Sequence, residues 1–246
     1  MVLLEGKVWT ILNYWPHMCA ADFNHYSNNY RSLLKESLGP LGGSADFFDP
    51  YKIACIKKWV TKSNQDLSIL DFGCGEGRLT GLLAHEFITA TVYGYDVAEK
   101  LLERAKYANQ SLDNVHFEDS FPAYVRFDLI LAANVFHHIS VQDRGRVLLR
   151  LKGVLKSAGR IVIFEHNPLN PITRHIVKSC PFDEDSVLIS SRALAALAES
   201  CGLKVIQRNY ILYFPWSSTL LRNIEGFLRH VPLGGQYMME LANKAP

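Results

Sequence analysis

Ile69-Leu70-Asp71-Phe72-Gly73-Cys74-Gly75-Glu76-Gly77 is the stretch on which the reading of this 246-residue chain turns. Apolar residues on either side of one acid form a strand, and the strand breaks into glycines at 73, 75 and 77. Glycines at that spacing let the backbone turn sharply, let a ligand approach where a Cβ would stand, and aim a helix N-terminus at it. The segment therefore reads as a nucleotide-cofactor loop. A dinucleotide fingerprint would carry its third glycine at position 78, which is Arg78, and Glu76 stands where a diphosphate would sit. No Gly-Lys-Ser/Thr closes the segment, so it is not a P-loop.

Working outward, the chain alternates between the two periodicities. A helix is expected from Arg78 to Phe87, a β-rich run from Ala90 to Tyr95 that ends at Asp96, and a helix over 97–109 with Leu101, Leu102 and Ala105 on one face. A short strand over 114–120 carries Asp119. A strand from Phe127 to Ile139 leads to a helix from Gln142 to Lys156, which stops at Ser157-Ala158-Gly159. The run 160–167 is almost unbroken apolar, as a parallel strand covered on both faces should be. A helix from Arg192 to Cys201, a strand from Leu203 to Phe214 and a last strand beginning at Gln236 complete the pattern. Strands alternating with helices of this length argue for an α/β fold with a parallel, doubly wound sheet. Ligands in such sheets sit at the carboxyl ends of the strands, where Gly73, Asp96, Asp119, Asn134 and His166 would share one rim.

With Asp71 ahead of the loop and Asp96 and Asp119 in register behind it, the chain resembles the class I S-adenosylmethionine-dependent methyltransferases, in a bacterial small-molecule branch. The resemblance implies a Rossmann-like, seven-stranded, mostly parallel sheet in the order 3-2-1-4-5-7-6, with the last strand antiparallel and helices on both faces. It divides the chain into an N-terminal helical lid over 1–60 and a cofactor-binding domain over 61–246, with a substrate-side insertion at 215–235. It implies that Asp71, Gly73, Cys74, Gly75, Gly77, Asp96, Val97, Asp119, Ser120 and Asn134 hold S-adenosyl-L-methionine, which leaves as S-adenosyl-L-homocysteine. Asp96 would accept from both ribose hydroxyls, Val97 would pack on the adenine, and Asp119 would meet its amino group. The implied activity is methyl transfer to a small molecule, with oxygen the expected acceptor.

A sulfonium methyl is already an activated electrophile. The protein must hold a nucleophile in line at about 3 Å, exclude water and, for an acidic acceptor, take up a proton. His138, His137 and His166 are the catalytic candidates. Adjacent histidines do not both aim inward, and His138, four residues past Asn134, is placed to look into the cleft. Set against this, a histidine at the top of a helix is often structural. In the lid, Phe23, Tyr26 and Tyr30 recur at helical spacing, so Tyr26 and Tyr30 either touch the substrate or pack the lid onto the core. The segment 166–190, rich in proline and turn residues, reads as irregular chain over the site mouth.

Between the last two strands, Leu220, Leu221, Ile224, Phe227, Leu228 and Val231 form one helical stripe, opposite Arg222, Glu225 and Arg229. The stripe would pack on the sheet or on a second subunit of a homodimer. Alternatively it would wall a site for an aromatic or lipid-linked acceptor, or touch a membrane surface.

Composition bounds the rest. With 48% hydrophobic and 20% charged residues the chain can bury the core of one soluble domain. Its 26 Lys+Arg are interleaved with 24 Asp+Glu, so no basic stripe points to nucleic acid. The Ala133-Asn134-Val135-Phe136 segment also lacks the Pro-Pro-aromatic element of enzymes that methylate base amines. Five cysteines without Cys-x-x-Cys spacing indicate neither a disulfide framework nor a zinc site, and no metal is expected. A reducing cytoplasm fits this usage. The apolar N-terminus lacks the basic region of a signal peptide, and no run reaches the roughly 18 apolar residues of a membrane span. Two other classes remain: a cofactor-binding scaffold without turnover, which would leave the methyl donor unconsumed with any acceptor, and a nicotinamide oxidoreductase, which an absorbance scan for hydride transfer would reveal.

Overall fold

The computed structural model describes residues 23–26, 29–39, 45–60, 66–214 and 219–244. Much of the proposed lid, residues 1–22, and the side chain of Tyr30 lie outside the described residues. Seven strands form one sheet: β1 (Ser68–Phe72), β2 (Thr91–Tyr95), β3 (Val115–Glu118), β4 (Phe127–Ala133), β5 (Leu155–His166), β6 (Leu203–Ile211) and β7 (Gln236–Asn243). Their order is β3-β2-β1-β4-β5-β7-β6. The first five pair in parallel, and β7 runs antiparallel to both β5 and β6. This is the class I methyltransferase fold.

Alternate residues of the strands feed opposite layers, because successive side chains point to opposite faces. Leu70, Phe72, Ile130, Ile161 and Ile163 pack with helices α6 (Arg144–Val154) and α8 (Ser191–Ser200) on one side. Ile69, Val92, Leu129, Leu131 and Val162 pack with α3 (Ala45–Val60) and α4 (Arg78–Glu86) on the other. Helix α5 (Glu99–Ala108) buries Leu101, Leu102 and Ala105. Among the described residues, two short helices, α1 (Phe23–Tyr26) and α2 (Tyr30–Ser37), precede α3. Strand order reverses at β1, with β2 on one side and β4 on the other, which opens a crevice at the carboxyl ends of these strands.

Four local expectations change. Strand β4 stops at Ala133, and Asn134, with φ 58°, turns the chain into a 3-10 turn at Phe136–His138. Asparagine tolerates that left-handed conformation better than most residues. Helix α6 ends at Val154, and Ser157-Ala158-Gly159 lies inside β5, where the register with β4 shifts after the Phe127–Leu155 pair. A Cβ at residue 159 would stand 2.9 Å from the Phe127 carbonyl oxygen, so this glycine marks a close approach of strands and not a helix end. The segment read as irregular holds helix α7 (Pro171–Ser179) and a 3-10 turn at Pro181–Asp183. Its start signals are ordinary: Asn170 accepts from the Thr173 N–H, and Pro171 occupies the first turn.

Fourth, the side chains of Leu220, Leu221 and Arg222 lie outside the described residues, and in the second half of helix α9 (Thr219–Leu228) burial departs from a simple amphipathic reading. Glu225 is only 5% exposed, whereas Phe227 is 87% exposed and Ile224 is also on the surface. The Glu225 carboxylate accepts from the N–H groups of Tyr213 and Phe214 and from the Tyr51 hydroxyl. Those bonds outweigh the pull of one aromatic ring toward the core, because a buried backbone donor without a partner costs about 1–3 kcal/mol.

Gly77 has φ 71°, and a Cβ there would meet Ala105 Cβ at 2.7 Å and the Phe117 ring at 2.8 Å. Gly77→Ala is expected to lower unfolding free energy by about 2 kcal/mol or more, through backbone strain and overpacking together. Urea denaturation would measure it.

Candidate active site

The glycine loop is pinned to the end of β2. The N–H groups of Gly73 and Cys74 both donate to the Tyr95 carbonyl, at 2.8 and 3.0 Å. The next residue, Asp96, closes the loop from the other side: its carboxylate accepts from the Gly75 N–H at 2.8 Å and from the Ala98 N–H at 2.9 Å. Burial raises the Asp96 pKa in spite of these donors. Gly73 lies so close to Val135 that a Cβ would come within 2.5 Å of it, while the space beside Gly75 is open.

Asp71, fully buried at the end of β1, accepts from the Thr80 hydroxyl at 2.7 Å. Burial pushes its pKa up to about 7; Thr80 and Lys52 oppose the rise, and the carboxylates of Asp49 and Asp96 add to it. Lys52, itself buried on α3, stands 3.5 Å from Asp49. Burial also pushes the Cys74 thiol well above its usual range.

One cavity joins this loop to a second group of polar side chains. It is lined by Asp71, Gly73, Cys74, Gly75, Asp96 and Val97 at one end, and by His137, His138, His166 and Asp183 at the other. Asn134 lies between them, its side-chain oxygen accepting from Gln236 Nε2 at 3.1 Å. Asp119 and Ser120, after β3, are exposed and stand outside this lining, and Gly77 serves the packing of α4 against α5 and β3.

The second group is built on the 3-10 turn after β4. Glu165, wholly buried on β5, accepts from the Phe136 N–H at 2.6 Å with one oxygen and contacts His137 Nδ1 at 2.7 Å with the other. The turn in turn holds the chain that follows α7. Val187 N–H donates to the His137 carbonyl at 2.9 Å, and the Arg144 guanidinium bonds the carbonyls of Ile139 and Val187. This lacing brings Asp183 to the imidazoles: Asp183 Oδ1 lies 3.4 Å from His137 Nε2 and 3.2 Å from His138 Nε2.

Charge states follow from burial and neighbours. Burial alone would lower the His137 pKa, but Glu165 and Asp183 outweigh it and raise it to about 9. Burial, reinforced by that cation, lowers His138 to about 3 and His166 to about 4. Glu165 and Asp183 are held below the usual carboxylate range, because the imidazoles overcome the opposing effect of burial. One charged imidazole and two neutral ones thus share the cavity end with two carboxylates.

Sequence reasoning reached the three histidines but not their partners, and the expectation that adjacent histidines do not both aim inward fails, because the 3-10 turn brings His137 and His138 together to the cavity and to Asp183. Glu165 sits in an apolar strand and Asp183 in a stretch without a motif, so neither carries a local signal. A charged residue inside a run such as Ile161-Val162-Ile163-Phe164-Glu165 is the one available hint, since an acid in a buried strand must have a partner. Lys52, Asp49 and Gln236 on the wall were also missed. Of the region over 1–60, Phe23, Lys35, Leu38, Phe48, Asp49 and Lys52 line the cavity, the Phe23 ring lying 4.9 Å from that of His138. Tyr26 packs beside Phe182, with ring centroids 6.1 Å apart, and its hydroxyl reaches the Pro181 carbonyl.

A family model described as a methyltransferase domain matches residues 63–220. The chain belongs to this family. An uncharacterized methyltransferase of Anoxybacillus flavithermus is 32% identical over 122 residues, covering 48% of the chain and 54% of that protein. The trans-aconitate 2-methyltransferase of Pseudomonas aeruginosa is 35% identical over 96 residues, covering 37% of the chain and 33% of its own length. The matches therefore span about half or less of those relatives. Among solved structures, magnesium protoporphyrin IX methyltransferase of Synechocystis with bound SAM superposes with a TM-score of 0.64 at 13% identity, over 94% of the chain and all of that protein. The mitomycin 7-O-methyltransferase MmcR gives 0.57 at 16% identity, over 73% of the chain and 49% of that protein. At these identities the structural likeness speaks to the fold.

Removing the Glu165 carboxylate leaves a buried imidazolium and a buried N–H unpaired. Glu165→Ala should cost about 3–5 kcal/mol of stability, and an unchanged urea midpoint would show that the pair does not hold the turn. Asp71 gives a pH test. Its folded pKa of about 7 lies above the 3.8 of an ordinary aspartate, so the stability it contributes is fully present below the lower value and is lost as pH rises through the higher. The stability of Asp71→Asn relative to the parent should thus climb across that window and level off above it.

Proposed function

We propose that this cavity binds S-adenosyl-L-methionine and that the chain transfers its methyl group to an oxygen of a small molecule, releasing S-adenosyl-L-homocysteine. The observation that carries the reading is the single cavity that has the glycine loop and Asp96 at one end and His137, His138, His166 and Asp183 at the other. Cofactor and acid–base chemistry meet there.

At the cofactor end, each Asp96 oxygen keeps a lone pair beyond its one backbone N–H, which suits the two ribose hydroxyls. Val97, partly exposed beside it, offers an apolar face to the adenine, and Asp119 and Ser120 are the outer polar groups for its amino edge. The open space at Gly75 admits the ligand backbone. Lys52 supplies a cation for the methionine carboxylate, and Asp71 an acid for its ammonium group. At the acceptor end, Phe23, Leu38, Ile176, Val177 and Phe182 form an apolar wall for an aromatic or lipid-linked acceptor, and the N-terminal region over 1–60 serves as the lid. Tyr26 and Tyr30 belong to that lid. The imidazoles of His138, His137 and His166 act on the acceptor oxygen, polarising its O–H bond or taking its proton, while the electron pair on oxygen displaces sulfur in line. Oxygen is favoured over nitrogen because a buried set of imidazoles and carboxylates suits a hydroxyl that must lose its proton as the bond forms.

The small-molecule scope is supported by the relatives named above, and the interleaved charges of the chain argue against nucleic acid. Among the described residues no helix is long and apolar enough to cross a membrane. Cys55, Cys74, Cys180 and Cys201 are free thiols, which supports a reducing, cytoplasmic setting.

Calorimetry with S-adenosyl-L-homocysteine, followed by transfer of labelled methyl from the donor to a panel of phenols, alcohols and hydroxy acids, tests the proposal. Asp96→Ala should weaken homocysteine-product binding about 10- to 100-fold. His138→Asn should leave that affinity nearly unchanged and cut turnover about 100-fold or more. Absence of measurable binding to the parent protein would end the reading.

A further inference from the structure

Three donor atoms converge at the acceptor end of the cavity: Nε2 of His137, Nε2 of His138 and Oδ1 of Asp183. Ligand atoms on these residues lie within 4.8 Å of one another, and all three residues are buried. The two nitrogen–oxygen separations are 3.4 and 3.2 Å. Metal–ligand bonds of about 2.0–2.1 Å place neighbouring ligands of a tetrahedral zinc site about 3.3–3.4 Å apart, so these two separations are those of ligands around a shared ion.

A second observation separates this from an ordinary hydrogen-bonded cluster. Asp183 is 7% exposed, and among the described residues its Oδ1 has no hydrogen-bond partner although two ring nitrogens stand close by. Neither imidazole is aligned to donate to it. An unpaired buried carboxylate oxygen is costly, and a cation held between the three atoms would satisfy it. The surroundings also match a metal centre: Glu165 contacts the far nitrogen of the His137 ring at 2.7 Å, so Nδ1 would keep its proton while an ion displaced the one on Nε2. Carboxylates in that outer position orient histidine ligands and raise their basicity.

We propose that His137, His138 and Asp183 bind one divalent transition-metal ion of the zinc type, with a remaining coordination position open to the cavity for the oxygen of the methyl acceptor. Two imidazoles and one carboxylate without a thiolate suit zinc, iron(II) or cobalt(II) and not magnesium. Three protein ligands and an open position are the arrangement of catalytic rather than structural zinc. This inference deepens the proposed methyl transfer and rests on it only for the role of the open position. A hydroxyl bound there releases its proton to water. The electron pair left on oxygen forms the new bond to the methyl carbon as the carbon–sulfur bond breaks, its pair remaining on sulfur. The ion would then be the means by which His137 and His138 act on the acceptor, and acceptors able to present an oxyanion, such as phenols and hydroxy acids, are the class selected.

Sequence spacing gave no warning of such a site. The expectation of no metal rested on cysteine patterns, whereas the third ligand comes from a segment far along the chain, delivered by the bonds from Val187 and Arg144 to the 3-10 turn.

The test uses the full chain stripped of metal with a chelator and titrated with Zn2+, Co2+ and Mg2+, with S-adenosyl-L-homocysteine affinity measured on the same samples. One equivalent of Zn2+ should bind at submicromolar concentration and raise the melting temperature, and Mg2+ should do neither. Cobalt should give visible d–d absorption in the parent protein. Asp183→Asn and His138→Asn should each weaken Zn2+ at least 100-fold and abolish the cobalt bands, and Glu165→Gln should weaken Zn2+ about 10- to 100-fold, all with product affinity retained. Zn2+ binding that is equal in parent and Asp183→Asn, as surface histidines would give, overturns the site. So does a cobalt spectrum identical to that of the aqueous ion. Loss of homocysteine-product binding with intact zinc binding would instead defeat the proposed methyl transfer and leave the metal site standing.

Discussion

The histidine end of the cavity depends on one buried contact, that between the Glu165 carboxylate and the His137 ring. An acid wholly enclosed in a parallel strand cannot remain charged without a partner. Here the partners are an imidazole and a backbone N–H supplied 28 and 29 residues earlier. Satisfying Glu165 therefore fixes the turn after β4 against β5. The turn then offers its own carbonyls to Val187 and Arg144, and those bonds carry Asp183 into place. Three segments remote in sequence are ordered by one electrostatic requirement.

At the opposite end of the cavity the constraint is steric as much as electrostatic. The loop after β1 must pass between Val135 and the end of β2, and only glycine fits at residue 73. Asp96 then locks the loop by accepting from Gly75. The two ends face each other because strand order reverses at β1, so the loops after β1, β2 and β4 all open on the same crevice. A sheet wound in one direction only would have spread these groups along an edge.

The charge pattern inside the cavity is itself a product of the fold. His137 is cationic because two carboxylates flank it, and its charge helps to keep His138 and His166 neutral. Neutral imidazoles are the form that accepts a proton, and a metal ion at Nε2 of His137 would take the place of the proton that makes that ring cationic. Away from the cavity, Glu225 follows the same logic on a smaller scale. Its carboxylate serves two backbone donors at the end of β6, and helix α9 turns its phenylalanine outward in consequence.

Sequence alone determined the sheet class and singled out the glycine loop, the acid after β2 and the three histidines that line one cavity, because each is a local pattern: strand periodicity, glycine spacing, a residue type at a strand end. The strand order was legible through family resemblance to the loop and its carboxylates. What only the tertiary structure decided is which polar groups meet. Asp183 and Lys52 lie on the cavity wall, Asp119 and Ser120 stand outside it, and Phe23 rather than Tyr26 reaches His138. The boundaries that changed share a cause: Asn134, Gly159 and Glu225 answer to strands or backbone donors distant in the chain. A sequence window holds only neighbours along the chain, whereas burial and charge pairing are settled by neighbours in space.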